Sequence, residues 1–438
     1  MAHLVVRGGR LVTPDGLVDA DLAVEGGEIV DVGRDLAGAT REIHAAGRVI
    51  FPGVVDVHVH FNEPGRTEWE GAATGSHALA AGGGTTFVDM PLNSTPCTVT
   101  GEAVDRKRAA LEAVSVADFA LWGGLVPGAV GEMAAMAARG VVGFKAFMCD
   151  SGLPEFPASD DRTLEDGMRE AARLGLPVAL HAESGTLVRS GHDGTARGFL
   201  ESRPLAAELD AMGRALTMAG ATGASLHIVH VSSGSGVALA AEARERGVDV
   251  SIETCPHYLF FTSEDVEWLG VVAKCAPPLR PKDEQQQLWA ELLGGRVDVV
   301  ASDHSPAEPR LKEGTFLTAW GGIAGVQSTL AVLLSCGHHE RGLPLERIAS
   351  LLAAAPARRF GLHRKGRLAV GADADLTIVA PEEPFTLETA DLLQRHKMTP
   401  YLGRAFRGRV RQTIRRGEVI FEDGHITART SGRFVRPT

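Results

Sequence analysis

The sequence predicts an α/β fold, a (β/α)8 barrel carrying a small β-sandwich satellite built from both ends of the chain. Three observations predict it. Short apolar strands alternate with Ala-, Leu- and Glu-rich helical stretches through the middle of the chain, the texture of parallel βα units. Eight such strands can be counted, the number that closes a barrel. Polar residues recur at the C-terminal ends of these strands, which an open doubly wound sheet, the alternative arrangement, would not explain.

The first fifty residues read as strands at 4–7, 11–13, 20–24 and 29–32, punctuated by Pro14-Asp15-Gly16 and Gly26-Gly27. The C-terminal end repeats the texture at 374–379, 410–414 and 418–421, with Asp423-Gly424 as a turn. Neither end can bury much alone, so the two should pack together. This divides the chain into a satellite of residues 1–50 and 366–438 and a barrel of residues 51–365. Barrel strands are expected at 54–61, 85–90, 117–123, 142–148, 177–183, 225–232, 248–254 and 297–303. Helices such as 102–114, 163–174, 205–219 and 237–245 lie between them.

With 438 residues, 44% of them hydrophobic and 23% charged, the chain can bury a sizeable core and shows no bias toward disorder. Forty-four Lys and Arg against 55 Asp and Glu give a net charge of -11, which argues against a nucleic-acid or anionic-membrane partner and for a small substrate. The start, Met1-Ala2-His3-Leu4-Val5-Val6-Arg7, lacks a basic segment followed by a long apolar run, and no other stretch reaches membrane-spanning length, so a cytoplasmic location is expected. Cys97, Cys149, Cys255, Cys275 and Cys336 are scattered without a CxxC pattern and read as buried, reduced thiols.

The first barrel strand ends in Asp56-Val57-His58-Val59-His60, and alternation puts His58 and His60 on one face. Such a pair could be two hydrogen-bonded core histidines. Its weight comes from what recurs downstream, where His181, His230 and Asp303 each lie near the end of a predicted strand, and barrel strand ends converge on one face. Four imidazoles and a carboxylate exceed the needs of one tetrahedral zinc with an open position, but suit a two-metal site that lacks a bridge. Lys145, in Gly143-Phe144-Lys145-Ala146-Phe147-Met148, is the candidate bridge. Apolar neighbours would favour a neutral amine able to add carbon dioxide, giving an anionic two-oxygen ligand. Without the histidines, a lysine paired to a carboxylate would be the simpler reading. His227 is offset by three from His230 and falls on the other face, as a packing or hydrogen-bonding residue.

His58-x-His60, the Lys145 segment, His181-Ala182-Glu183, His230-Val231-Ser232 and Ser302-Asp303-His304 resemble the amidohydrolase superfamily, in its cyclic amidohydrolase branch of dihydroorotases, hydantoinases and allantoinases. The resemblance spans essentially the whole chain, including the segment 366–376. It implies two Zn2+ ions held by His58, His60, His181, His230, Asp303 and carboxylated Lys145, the ions bridged by that lysine and a hydroxide, with Asp303 also the catalytic proton shuttle. Finer segments, 62–71, 89–94, 253–258, 274–280 and 320–325, resemble the allantoinases of that branch. They imply hydrolytic opening of (S)-allantoin to allantoate in a homotetramer, with a hydantoinase-type amidase as the alternative. A non-catalytic scaffold on the same fold tends to lose ligands, and all six remain here.

Dihydroorotases usually carry an Arg where this chain has Asn62, which points to a neutral cyclic ureide over a carboxylate-bearing ring. Asn62, Asn93, Gly321 and Gly322 are the expected substrate-binding residues. Hydantoinases typically place a Tyr where this chain has Asp150, and relatives carry a polar residue or Glu where it has Ala355. Arg66 and Glu68 are expected to form a loop ion pair. His257 and His304 could support the site or only the fold.

Overall fold

The computed structural model describes residues 2–438; of the N-terminal segment considered above, Met1 lies outside them. Eight parallel strands form the barrel: Val54–Val59, Gly84–Asp89, Asp118–Leu121 continued by Gly123–Gly124, Phe144–Phe147, Val178–His181, Leu226–Ile228, Val250–Thr254 and Val299–Val300. Each pairs with its neighbours in chain order. The eighth returns to the first through a parallel bridge between Val59 and His304, and through the Ser302 N–H, which donates to the Asp56 carboxylate at 3.2 Å. The strands are buried on both faces, which is why apolar residues fall on both sides of them, with small or polar residues such as Thr85, Thr86 and Ser251 buried among them. Trp122 interrupts the third strand and fills the interior, its indole N–H donating to the Val57 carbonyl at 2.9 Å.

The intervening helices, among them Gly101–Val114, Asp161–Leu174, Leu205–Thr222 and Gly234–Glu245, begin or end slightly beyond their apolar patterns because their caps extend them. Thr100, Asp160 and Ser233 accept hydrogen bonds from the first turns of three of them, and Gly175 and Gly223 end two in the left-handed conformation.

Both chain ends join one nine-stranded sheet in which Leu376–Thr386 pairs with Val49–Pro52, which pairs in turn with Leu4–Thr13. Leu4, Leu22 and Ile50 share an apolar cluster with Leu376, Ile378 and Ile414, so the sheet folds over on itself. The expected strands 4–7 and 11–13 are one strand, Leu4–Thr13, with a bulge between Val6 and Gly9. Gly53 carries the chain from this sheet into the barrel, and a Cβ there would lie 2.3 Å from the Thr85 hydroxyl. The last residues leave the sheet and pair with the barrel's third strand, where the Phe119 N–H donates to the Arg433 carbonyl and the Val435 N–H donates to the Phe119 carbonyl.

Sheet and barrel are also tied by charge. The buried Lys365 ammonium contacts Asp118 of the third barrel strand at 2.7 Å, Asp375 at 2.8 Å and Asp373 at 2.9 Å. Lys365→Met is expected to cost about 3–5 kcal/mol, because it strands buried carboxylates; the urea midpoint measures it. Burial opposes the Asp373 charge, but Lys365 and Arg364 outweigh it and hold this carboxyl below its ordinary 3.8. A lowered folded-state pKa adds stability that is full above pH 3.8 and lost as acid protonates the group, so the wild-type midpoint should fall more steeply with acid than that of the variant.

Candidate metal centre

All six predicted ligands line one cavity of about 680 Å3 at the C-terminal ends of the strands, a volume suited to a small molecule. His58 and His60 project from one face of the first strand, and their Nε2 atoms lie 3.2 and 3.4 Å from the same oxygen of Asp303. Across the site, His181 Nδ1 and His230 Nε2 approach to 3.0 Å, two ring nitrogens aimed at a common point. The His58 and His230 ring centroids are 5.4 Å apart, which joins the two groups. His230, Asp303, Asn62 and Asn93 all have positive φ, at 41, 44, 62 and 66°, where a non-glycine backbone is strained and functional sites concentrate.

Lys145 lines the same cavity without a hydrogen-bond partner. Its side chain is fully buried, its Nζ makes no hydrogen bond, and its near neighbour is the Phe147 ring, 5.0 Å from Nζ. Burial pushes the amine down to about 8, against the pull of Asp303 and Glu253. Burial also lowers His60, His181 and His230, favouring the neutral, ligating imidazole. For Asp303, burial works against the charge, yet His58 and His60 outweigh it and hold the carboxyl well below the usual range. His230 Nδ1 is a second buried atom without a partner. This donor set and its orphaned amine fit metal ions bridged by a modified lysine.

Two carboxylates orient the imidazoles. Glu253 accepts from His58 Nδ1 at 2.7 Å and lies 3.0 Å from Nε2 of His227, whose other nitrogen faces the Ser251 hydroxyl at 2.8 Å. His227 is thus the hydrogen-bonding residue its offset predicts. Glu183 lies 2.8 Å from His181 Nε2 and is itself paired with Arg203. Burial opposes both charges, but His58 and His227 hold Glu253 down to about 2, and Arg203 and His181 do the same for Glu183. Both acids stand in motifs quoted above with no role given them; the only sequence signal was an acid two residues after His181 and another near the end of the seventh strand.

Among the expected substrate residues, Asn93, Gly321 and Gly322 line the cavity, and Asn93 Nδ2 also lies 3.3 Å from His60 Nδ1. Asn62 does not line it: this residue is buried behind the wall, its Nδ2 directed to the Pro306 carbonyl at 3.5 Å. Gly322 has a backbone reason to be glycine, since a Cβ would meet the Ser305 carbonyl oxygen at 2.2 Å. The Arg66–Glu68 ion pair does not form. Arg66 instead reaches Glu155 at 3.2 Å and lies over the Trp69 ring, while the Glu68 carbonyl accepts from His396. His304 faces backbone N–H groups of Gly325 and Val326, and both ring nitrogens of buried His257 lack partners, so neither contacts a ligand side chain by hydrogen bond. Asp150 lines the cavity and caps its own turn by accepting from Gly152 N. The five cysteines are free and buried. No helix among the described residues is long and apolar enough to cross a membrane.

Residues 49–420 match the amidohydrolase family. The chain belongs to the amidohydrolase family. It is 60% identical to a protein named allantoinase from Solibacter usitatus (strain Ellin6076), over 100% of this chain and 97% of that one. It is 55% identical to an allantoinase from Rubrobacter xylanophilus, with 99% and 97% covered. Among solved structures, an L-hydantoinase (dihydropyrimidinase) from Arthrobacter aurescens superposes with a TM-score of 0.97 at 33% identity over 100% of both chains. A D-hydantoinase from Thermus sp. gives 0.91 at 28% identity, with 99% of each chain covered.

Proposed function

We propose that this amidohydrolase opens a cyclic amide by hydrolysis, with (S)-allantoin to allantoate as its reaction, in a site that takes two zinc ions. The observation that carries the reading is the buried, unpaired Lys145 amine in the same cavity as the two groups of histidines; the names of full-length relatives supply the substrate. His58, His60 and Asp303 would hold one ion, His181 and His230 the other, and a carboxylated Lys145 would serve both. When bound, the ions supply Lewis acidity, which acidifies water toward neutral pH and polarises the scissile carbonyl.

Asp303 is ionised and placed at the His58 and His60 nitrogens, so it accepts the proton of the attacking water and returns it to the ring nitrogen as the amide bond breaks. Asn93 and the backbone at Gly321 and Gly322 orient the ring against it, and Asn62 shapes the loop behind them. Phe147, Leu92 and Trp320 give the cavity an apolar wall beside the histidines. The same reading takes the chain as a cytoplasmic homotetramer whose satellite comprises residues 1–50 and 366–438 and whose barrel comprises 51–365.

A substrate panel of allantoin, hydantoin, dihydrouracil and dihydroorotate, assayed on zinc-loaded protein, tests the proposal. Allantoin should lead in kcat/KM by at least about tenfold, or ~1.4 kcal/mol of transition-state discrimination. Preference for hydantoin would shift the assignment to the hydantoinase-type alternative, and preference for dihydroorotate would overturn the neutral-ring reading.

A further inference from the structure

Glu253 touches both halves of the centre. One of its oxygens, Oε1, accepts from His58 Nδ1 at 2.7 Å and from the backbone N–H of His230 at 3.1 Å, while Oε2 faces His227 Nε2. His58 comes from the first strand and His230 from just past the sixth, so a side chain on the seventh strand clamps ligands that approach from two sides of the barrel. The second clamp is also notable for what it holds: a backbone N–H in a residue at positive φ, which fixes the turn that swings the His230 ring into the cavity. Glu183, by contrast, contacts only His181 among the ligands.

We infer that Glu253 is a positioning residue shared by the two metal subsites, so that they form as one unit, whereas Glu183 serves a single subsite. The inference rests on the two-metal reading above. The physical basis is that a carboxylate bonded to a ligating imidazole fixes its tautomer and orientation and raises its basicity, and that loss of such a partner typically weakens metal binding about 10- to 100-fold. Because one oxygen serves both His58 and His230, any displacement of Glu253 moves both contacts together.

Glu253→Gln separates charge from shape. The amide oxygen can still accept from His58 and from His230 N–H, and its NH2 can donate to His227 Nε2 if His227 carries its proton on Nδ1, toward the Ser251 hydroxyl. The measurement is zinc content and chelator competition on the intact protein, with thermal unfolding of the metal-free forms as the fold control. Wild-type protein is expected to hold two zinc ions, Glu253→Gln to bind both about 10- to 100-fold more weakly, and Glu183→Gln to weaken only one. Wild type with two ions and a Glu253→Gln variant that weakens one or neither overturns the inference while leaving the two-metal reading intact. Wild type with fewer than two overturns both. If Glu253→Gln does not fold, Glu253→Asp keeps the charge but shortens the reach, and weakening confined to one ion in that variant overturns the inference equally.

Discussion

Lys145→Ala is expected to lose bound metal and activity together, with kcat/KM down by about 10³-fold or more, equivalent to ~4 kcal/mol of transition-state stabilisation. The reasoning begins with burial. An ammonium with no hydrogen-bond partner in a fully buried position is costly, and natural sequences seldom keep one without a use. Addition of carbon dioxide to the neutral amine would turn an unsatisfied cation into an anion with two acceptor oxygens. Removal of the side chain leaves a gap of the right size and charge for a small carboxylate. Formate, acetate or propionate added with zinc should therefore restore part of the activity, in parallel with zinc content. Methylamine, which resembles the unmodified lysine, should restore none. Zinc analysis and a rescue titration check both statements.

Asp303→Asn is expected to lower kcat by about 10²- to 10⁴-fold with a smaller change in KM, since it removes the proton acceptor while keeping the shape of the side chain. Asp303 sits within 3.4 Å of both His60 and His58, so part of the loss should be weakened zinc binding. Saturating zinc should recover that part and leave the remainder. A variant that regains full kcat when zinc is saturating would show that Asp303 is only a ligand. The pH dependence of kcat in wild type and variant, followed by hydrolysis of allantoin, separates the two contributions.

Much of this was legible in the sequence because barrels concentrate chemistry where periodicity points. Alternation along 54–61 put His58 and His60 on one face, and counting apolar runs put His181, His230 and Asp303 at strand ends; the structure brings all of them with Lys145 into one cavity. The offset of His227 correctly separated it from the ligands. The partners of these residues were not legible. Glu253 meets His58 across 195 positions of chain, and nothing in a local pattern records that contact.

The satellite was read less well, and for identifiable reasons. Arg41–His44 is a strand with a single buried residue, Ile43, so it lacks alternation worth reading. Val49–Pro52 is four residues long and only Gly53 separates it from the apolar start of the barrel, so it reads as the lead-in to the barrel strand. The gap between the expected strands 4–7 and 11–13 is part of one strand, in which Gly9 allows Ile50 to pack close, since a Cβ there would lie 2.5 Å from its Cδ1. In the barrel, Arg66 and Glu68 are close enough in sequence to suggest a pair, yet the loop turns Arg66 toward Trp69 and Glu155.

Anomalous diffraction at the zinc edge, from crystals grown with zinc and bicarbonate, tests the central claim most directly. Two peaks are expected, one beside His58 and His60 and one beside His181 and His230, with continuous density beyond Lys145 Nζ for an added carboxylate lying between them. A single peak, or two peaks with Lys145 ending in a bare amine, would contradict the account.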